Sequence, residues 1–246
     1  MVVDMGGKRV KKYRFTIRRH TFQVIADKVL LFKALQNLHG RFWGIAALHG
    51  MTIGLAICFL IRPEMWRIST AFSDFGNDVR TAPFFAGSMF FAAYGLWRWR
   101  NYLARTLRRS GIVLGLLTLT IIGLYLVALM PVSWKPIPYK IHFFGVLLTG
   151  CSMALTVIVD GLLTKVKLTN HEVTIRFFRL LAFASIVIGG YITLGSAETL
   201  QWYNLSLLGE ILIVFGYAVW VYLKTRLGEG PRSRLSRILQ KVIIIK

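Results

Sequence analysis

A few side chains in this 246-residue sequence have the chemistry to bind or act on a small polar group. Ser73 and Asp74 open the run Ser73-Asp74-Phe75-Gly76-Asn77-Asp78, which ends on a second carboxylate, Asp78. His142, Glu198 and Glu210 follow far downstream. A carboxylate beside an imidazole orients it and stabilises its charged form. The imidazole then serves as a base toward water or a serine hydroxyl. In that arrangement His142 is the base, Asp74 orients it, and Ser73 or water attacks an ester. Asp78, Glu198 and Glu210 are candidates for contacting the substrate. Asp74, His142 and Glu198 also suit a divalent metal, and the sequence leaves open whether one is held. There is no nucleophile elbow, no His-Glu-x-x-His run and no paired-histidine spacing. A structural reading therefore competes at each position. Asp74 caps a turn, His142 bonds a carbonyl at a helix end, Glu198 is solvated, and Glu210 bonds a neighbouring helix.

These residues can meet only if the chain folds them to one side. The composition says how: 55% of residues are apolar and the mean hydropathy is +0.58, where a soluble domain has about 45–50% apolar residues. Apolar runs of about 20 residues are membrane spans. Six are expected, at 42–61, 82–97, 111–130, 141–163, 177–195 and 205–223. The fold class is thus all-α, a polytopic six-transmembrane-helix bundle. A basic segment (1–41), the transmembrane domain (42–224) and a basic amphipathic tail (225–246) divide the chain. The first apolar run is too long for a cleaved signal peptide and reads as a retained anchor.

The net charge of +21 does not point to nucleic acid, because the cations lie between apolar runs and follow no nucleic-acid-binding motif. Ten Lys/Arg fall in 1–41, five in 98–109, four in 164–179 and seven from Lys224 onward. The other three loops share five. This alternation places both termini in the cytoplasm, in the cell membrane if the source is prokaryotic. It also places Ser73, Asp74, Asp78, His142 and Glu198 on the outer side, with Glu210 roughly 9 Å below it. Trp43, Trp97, Trp99 and Trp220 are expected in the inner interfacial belt, and Trp66, Trp134 and Trp202 in the outer one. The basic ends carry apolar stripes, Ile25-Val29-Phe32-Leu35 and Leu235-Ile238-Leu239-Val242. These suit anionic headgroups at the cytoplasmic face, or alternatively a membrane-protein partner. Asp160 is expected to pair with Lys165 or Lys167. Gly50, Gly54, Gly111, Gly115, Gly189 and Gly190 are candidates for close helix contacts. Cys58 and Cys151 read as small buried apolar residues.

No cofactor is expected. Haem needs two histidines at one depth on facing helices, and His49 and His142 lie at opposite ends of their spans. No lysine lies mid-span for a retinal Schiff base.

Ser73-Asp74-Phe75-Gly76, then Pro83 opening the second span, then Ile141-His142-Phe143-Phe144-Gly145 opening the fourth, form an ordered set. The set resembles a six-helix family that includes the damage-regulated autophagy modulators, a GPI-lipid remodelling factor and uncharacterised microbial relatives. The resemblance covers roughly residues 69–150. It implies the six-span fold and a role around lipids, and it supplies no catalytic mechanism. The expectation is an outer polar pocket that binds, and in an enzymatic version remodels, a lipid headgroup. The alternatives are a non-enzymatic subunit or scaffold of a membrane complex, and a small transporter using Glu210 and Asp160.

Overall fold

Lipid offers no water to exposed N–H and C=O groups, so an apolar segment must satisfy its backbone internally, as a helix does. Among the described residues six α-helices follow from the six apolar runs: α1 (Trp43–Ile61), α2 (Ala82–Thr106), α3 (Gly111–Leu129), α4 (Pro136–Leu163), α5 (Glu172–Gly195) and α6 (Ser206–Leu227). Short 3₁₀ turns at Gly40–Phe42, Pro63–Met65 and Phe72–Asn77 lead into α1 and shape the α1–α2 connection. The computed structural model describes residues 38–106, 111–130, 136–163, 172–196, 202 and 204–227, and every regular element among them is helical. A compact unit begins at Gly40. The amphipathic stripes, Trp134, Lys165, Lys167 and Glu198 lie outside the described residues.

Among the described residues five helices are long and apolar enough to cross a membrane, in the segments Gly40–Ile61, Gly111–Leu129, Ile137–Leu162, Val173–Gly195 and Ser206–Thr225. The chain is a multi-pass membrane protein. The helix that falls short is α2, although it has 25 residues. It runs on past Trp97 because no proline or glycine interrupts 97–106 and its arginines find partners. The Arg98 guanidinium lies 5.1 Å from the Trp43 ring and 5.9 Å from the Tyr94 ring. Arg100 donates from Nε to Thr118 Oγ1 of α3 at 2.9 Å and lies 5.7 Å from the Trp97 ring. An aromatic face attracts a cation and shields its stem from lipid. Helix α4 also starts earlier than expected, at Pro136, where a fixed φ suits the first turn.

Consecutive helices pack side by side, and α1 meets α6 to close the ring. Glycine sets the spacing of two hairpins. A Cβ on Gly145 would lie 3.1 Å from the Gly123 carbonyl oxygen, and one on Gly209 would lie 2.8 Å from that of Gly189. Such contacts bring helix backbones together where lipid gives no hydrophobic push between helices. Of the glycines singled out in sequence, Gly50, Gly54 and Gly189 sit at close contacts, whereas Gly111, Gly115 and Gly190 meet nothing within 4 Å.

Two further expectations need correcting. Trp43, Trp99 and Trp220 are buried against other helices of the bundle and are not turned outward as belt residues would be. Gly44 leaves room for the Trp99 ring, and Trp99 meets Trp220 edge-on at 5.4 Å. Cys58 is buried as expected, but Cys151 is exposed on the bundle surface.

Candidate functional site

The α1–α2 connection is folded by its own charges. Arg62 bonds both Glu64 and Asp78. Asp78 also accepts the Arg80 backbone N–H at 2.8 Å and pairs with its guanidinium at 3.2 Å. Glu64 is held below the usual carboxylate range by its own backbone N–H and then by Arg62. Thr81 Oγ1 donates to the Phe75 carbonyl at 2.7 Å, and the buried Phe75 ring packs edge-on against Phe59 at 4.7 Å. Asp74 Oδ2 accepts the Ala71 N–H at 2.8 Å. Asp78 thus clasps the end of α1 to the start of α2.

This folded loop docks on α6. The first N–H groups of a helix have no partner within it. Leu207, in the first turn of α6, donates its N–H to the Ile68 carbonyl at 3.1 Å. Glu210, one turn deeper, accepts the Phe72 N–H at 2.5 Å. A helical run of apolar residues carries the carboxylate down to that depth, and the loop supplies the donor that makes its burial tolerable.

Below the loop lies a cavity of about 110 Å³, walled by α6 on one side and α1–α4 on the other. Its surface is almost wholly apolar, with Leu48, Met51, Phe85 and Met89 among its walls, and Ser73, His142, Thr149, Glu210 and Tyr217 are the residues of polar type that line it. His142 is buried, and its Nδ1 lies 2.5 Å from the Met130 carbonyl oxygen. A carbonyl only accepts, so Nδ1 carries the hydrogen and, in the neutral ring, Nε2 keeps its lone pair. That Nε2 is buried with no hydrogen-bond partner among the described residues, and so is the Tyr217 hydroxyl. Thr149 Oγ1 donates to the Gly145 carbonyl at 2.8 Å, which leaves its oxygen free to accept.

Ser73, His142 and Glu210 therefore share one cavity. The arrangement on the ring differs from the expected one. The Met130 carbonyl, not Asp74, holds Nδ1, because the last carbonyls of α3 have no partner within their helix and His142 supplies a donor. Asp78 is not among the cavity-lining residues. Tyr217 escaped the sequence reading, since an aromatic in an apolar span looks like core. The available signal was its spacing, seven residues from Glu210 and so on the same helix face. Among the described residues no group of three or more His, Cys, Asp and Glu comes together to hold a metal.

At the opposite end of the bundle a second polar cluster joins α4 to α6. Asp160 accepts from Lys224 Nζ at 2.5 Å and from Trp220 Nε1 at 3.0 Å, and all three residues are buried. Arg41 Nε donates to the Thr225 carbonyl at 2.5 Å.

Fold and site together define a class: a multi-pass helical membrane protein with a small, mainly apolar cavity holding a few buried polar groups. Compared with family models, with curated proteins and with solved structures, the chain showed no significant match.

Proposed function

We propose that this chain crosses the membrane six times with both termini cytoplasmic, and that its cavity binds a lipid from the outer side. One observation carries the reading. His142 Nε2 and the Tyr217 hydroxyl are buried without partners among the described residues, on a cavity shared with Ser73 and Glu210. An unsatisfied buried polar group costs about 1–3 kcal/mol, which a bonded ligand recovers. Apolar walls with a few convergent polar groups are the usual form of a small-molecule site. The membrane supplies amphiphiles at high local concentration. The sixth crossing is assigned to α2, whose arginines cluster toward its C-terminal end, as the charge bias of a cytoplasmic boundary requires. The basic segments at both ends of the chain then contact anionic headgroups at the cytoplasmic face.

Ester chemistry is available at the same place. A water or Ser73 oxygen attacks the ester carbonyl carbon while its proton passes to His142 Nε2. The alkoxide then leaves and takes that proton; where Ser73 is the nucleophile, a water deprotonated by Nε2 next attacks the acyl-serine, releasing the acid and returning the proton to Ser73 Oγ. The Met130 carbonyl supports the ring at Nδ1 throughout. Comparative lipid mass spectrometry tests the reading, using cells that lack the protein and cells restored with wild type, Asp74→Ala or His142→Ala at matched levels. One lipid class should change on deletion and be restored by wild type alone. Identical lipids in all strains would remove the reading.

A second reading, transport, has one observation in its favour. Glu210, Tyr217 and Lys224 recur every seven residues along one face of α6, from the cavity to the buried Asp160. The Trp220 ring, 5.3 Å from that of Tyr217, would be the barrier between the two ends. Flux into vesicles carrying Trp220→Ala but not wild type would favour it.

A further inference from the structure

Resting on the lipid-binding reading, we propose that the cavity selects a neutral amphiphile with a hydroxylated head and rejects a phosphate head. Among the described residues, no Lys, Arg, Asn, Gln or Trp lines the cavity. Phosphate recognition needs such donors, and cations above all. The nearby guanidiniums of Arg62 and Arg80 are engaged with Asp78. A phosphate placed here would find no cation among the lining residues.

The unpartnered atoms call for a particular complement. His142 is 3% exposed and offers a lone pair at Nε2, so it needs a donor. Tyr217 is 1% exposed, and its O–H needs an acceptor. A hydroxyl both donates and accepts, whereas a phosphate oxygen supplies only the acceptor and an ammonium only the donor. The two residues lie at different distances along their helices. His142 is six residues into α4 and Tyr217 eleven into α6, roughly 9 and 17 Å from their helix starts. A head with more than one hydroxyl, or a hydroxyl and an ester carbonyl, supplies both complements, and the apolar walls meet the start of its chain. Glycerol monoesters have this pattern.

The test uses the full-length chain in detergent and three amphiphiles that share an oleoyl or oleyl chain. Oleoylglycerol, oleoylglycerol phosphate and oleylamine are titrated by native mass spectrometry. Oleoylglycerol should bind saturably, at least about tenfold more tightly than either charged analogue. Tyr217→Phe removes only the hydroxyl. His142→Asn keeps an N–H for the Met130 carbonyl and removes Nε2. Each variant should lose about tenfold in oleoylglycerol affinity, with the thermal stability of the ligand-free protein unchanged or raised. Tighter binding of the phosphate or the amine, or unchanged affinity in both variants, would overturn the selectivity and leave a lipid cavity standing. Binding of none of the three would overturn the selectivity and the lipid reading together.

Discussion

A carboxylate and an ammonium sealed between two helices pose a different problem from an ion pair on a surface. The side chains of Asp160 and Lys224 are only 5% and 6% exposed, so neither can turn to water when its partner is removed. Breaking such a pair costs about 3–5 kcal/mol, while replacing both members with apolar residues is often neutral. Asp160→Ala and Lys224→Met should each lower the melting temperature sharply. The double variant Asp160→Leu/Lys224→Met should recover most of the loss, which equilibrium unfolding in detergent would read. Equal damage from single and double variants would show that the pair is not the source of the stability. Glu210 gives a subtler case. Glu210→Gln keeps an oxygen for the Phe72 N–H, and Glu210→Leu does not. Hydrogen exchange at the Phe72 amide should rise roughly tenfold or more in the leucine variant and stay near wild type in the glutamine variant. At this scale the sequence was partly readable. Ser73, His142 and Glu210 stood out because polar groups near or within apolar runs are costly. That a carbonyl at a helix end would hold His142 was one reading of the sequence, but that it is the Met130 carbonyl was not legible, because a backbone atom leaves no mark in residue identity.

Among the elements, the helices themselves were legible and their ends were not. Apolar runs of span length announce a helix wherever the backbone must be satisfied internally. They do not say that Arg98 and Arg100 will find Trp43, Tyr94 and Thr118 and let α2 continue to Thr106. Nor does spacing say which glycines face a neighbour. Gly115 and Gly123 are alike in sequence context, yet one faces open space and the other the α4 backbone at Gly145. Leucine at Gly123 or Gly209 should therefore destabilise the fold by about 1–3 kcal/mol or more, because overpacking forces backbones apart. Leucine at Gly115 should be close to neutral. Parallel thermal denaturation of the three variants separates these outcomes, and equal tolerance of all three would contradict the packing described.

For the whole molecule, the charge alternation makes a directional statement. In a background with Cys58→Ala and Cys151→Ala, a cysteine at Val79, which is 90% exposed, should react with an impermeant maleimide on intact cells. A cysteine at Arg105 should react only after permeabilisation. The reverse pattern would invert the topology and place the cavity on the cytoplasmic side.

The contacts of α6 also impose an order of events during synthesis. This last of the described helices supplies Glu210 to Phe72, 138 residues earlier, Lys224 to Asp160, 64 residues earlier, and the Thr225 carbonyl to Arg41, 184 residues earlier. A ribosome adding about 5–20 residues per second leaves Asp160 waiting roughly 3–13 s for its counter-ion. Over that interval the five helices already made hold Asp160 without Lys224 and leave the groove for α6 unsealed. A nascent chain stalled before α6 would present both, which marks it for membrane quality control, and arrival of the final hairpin is the step that removes the mark.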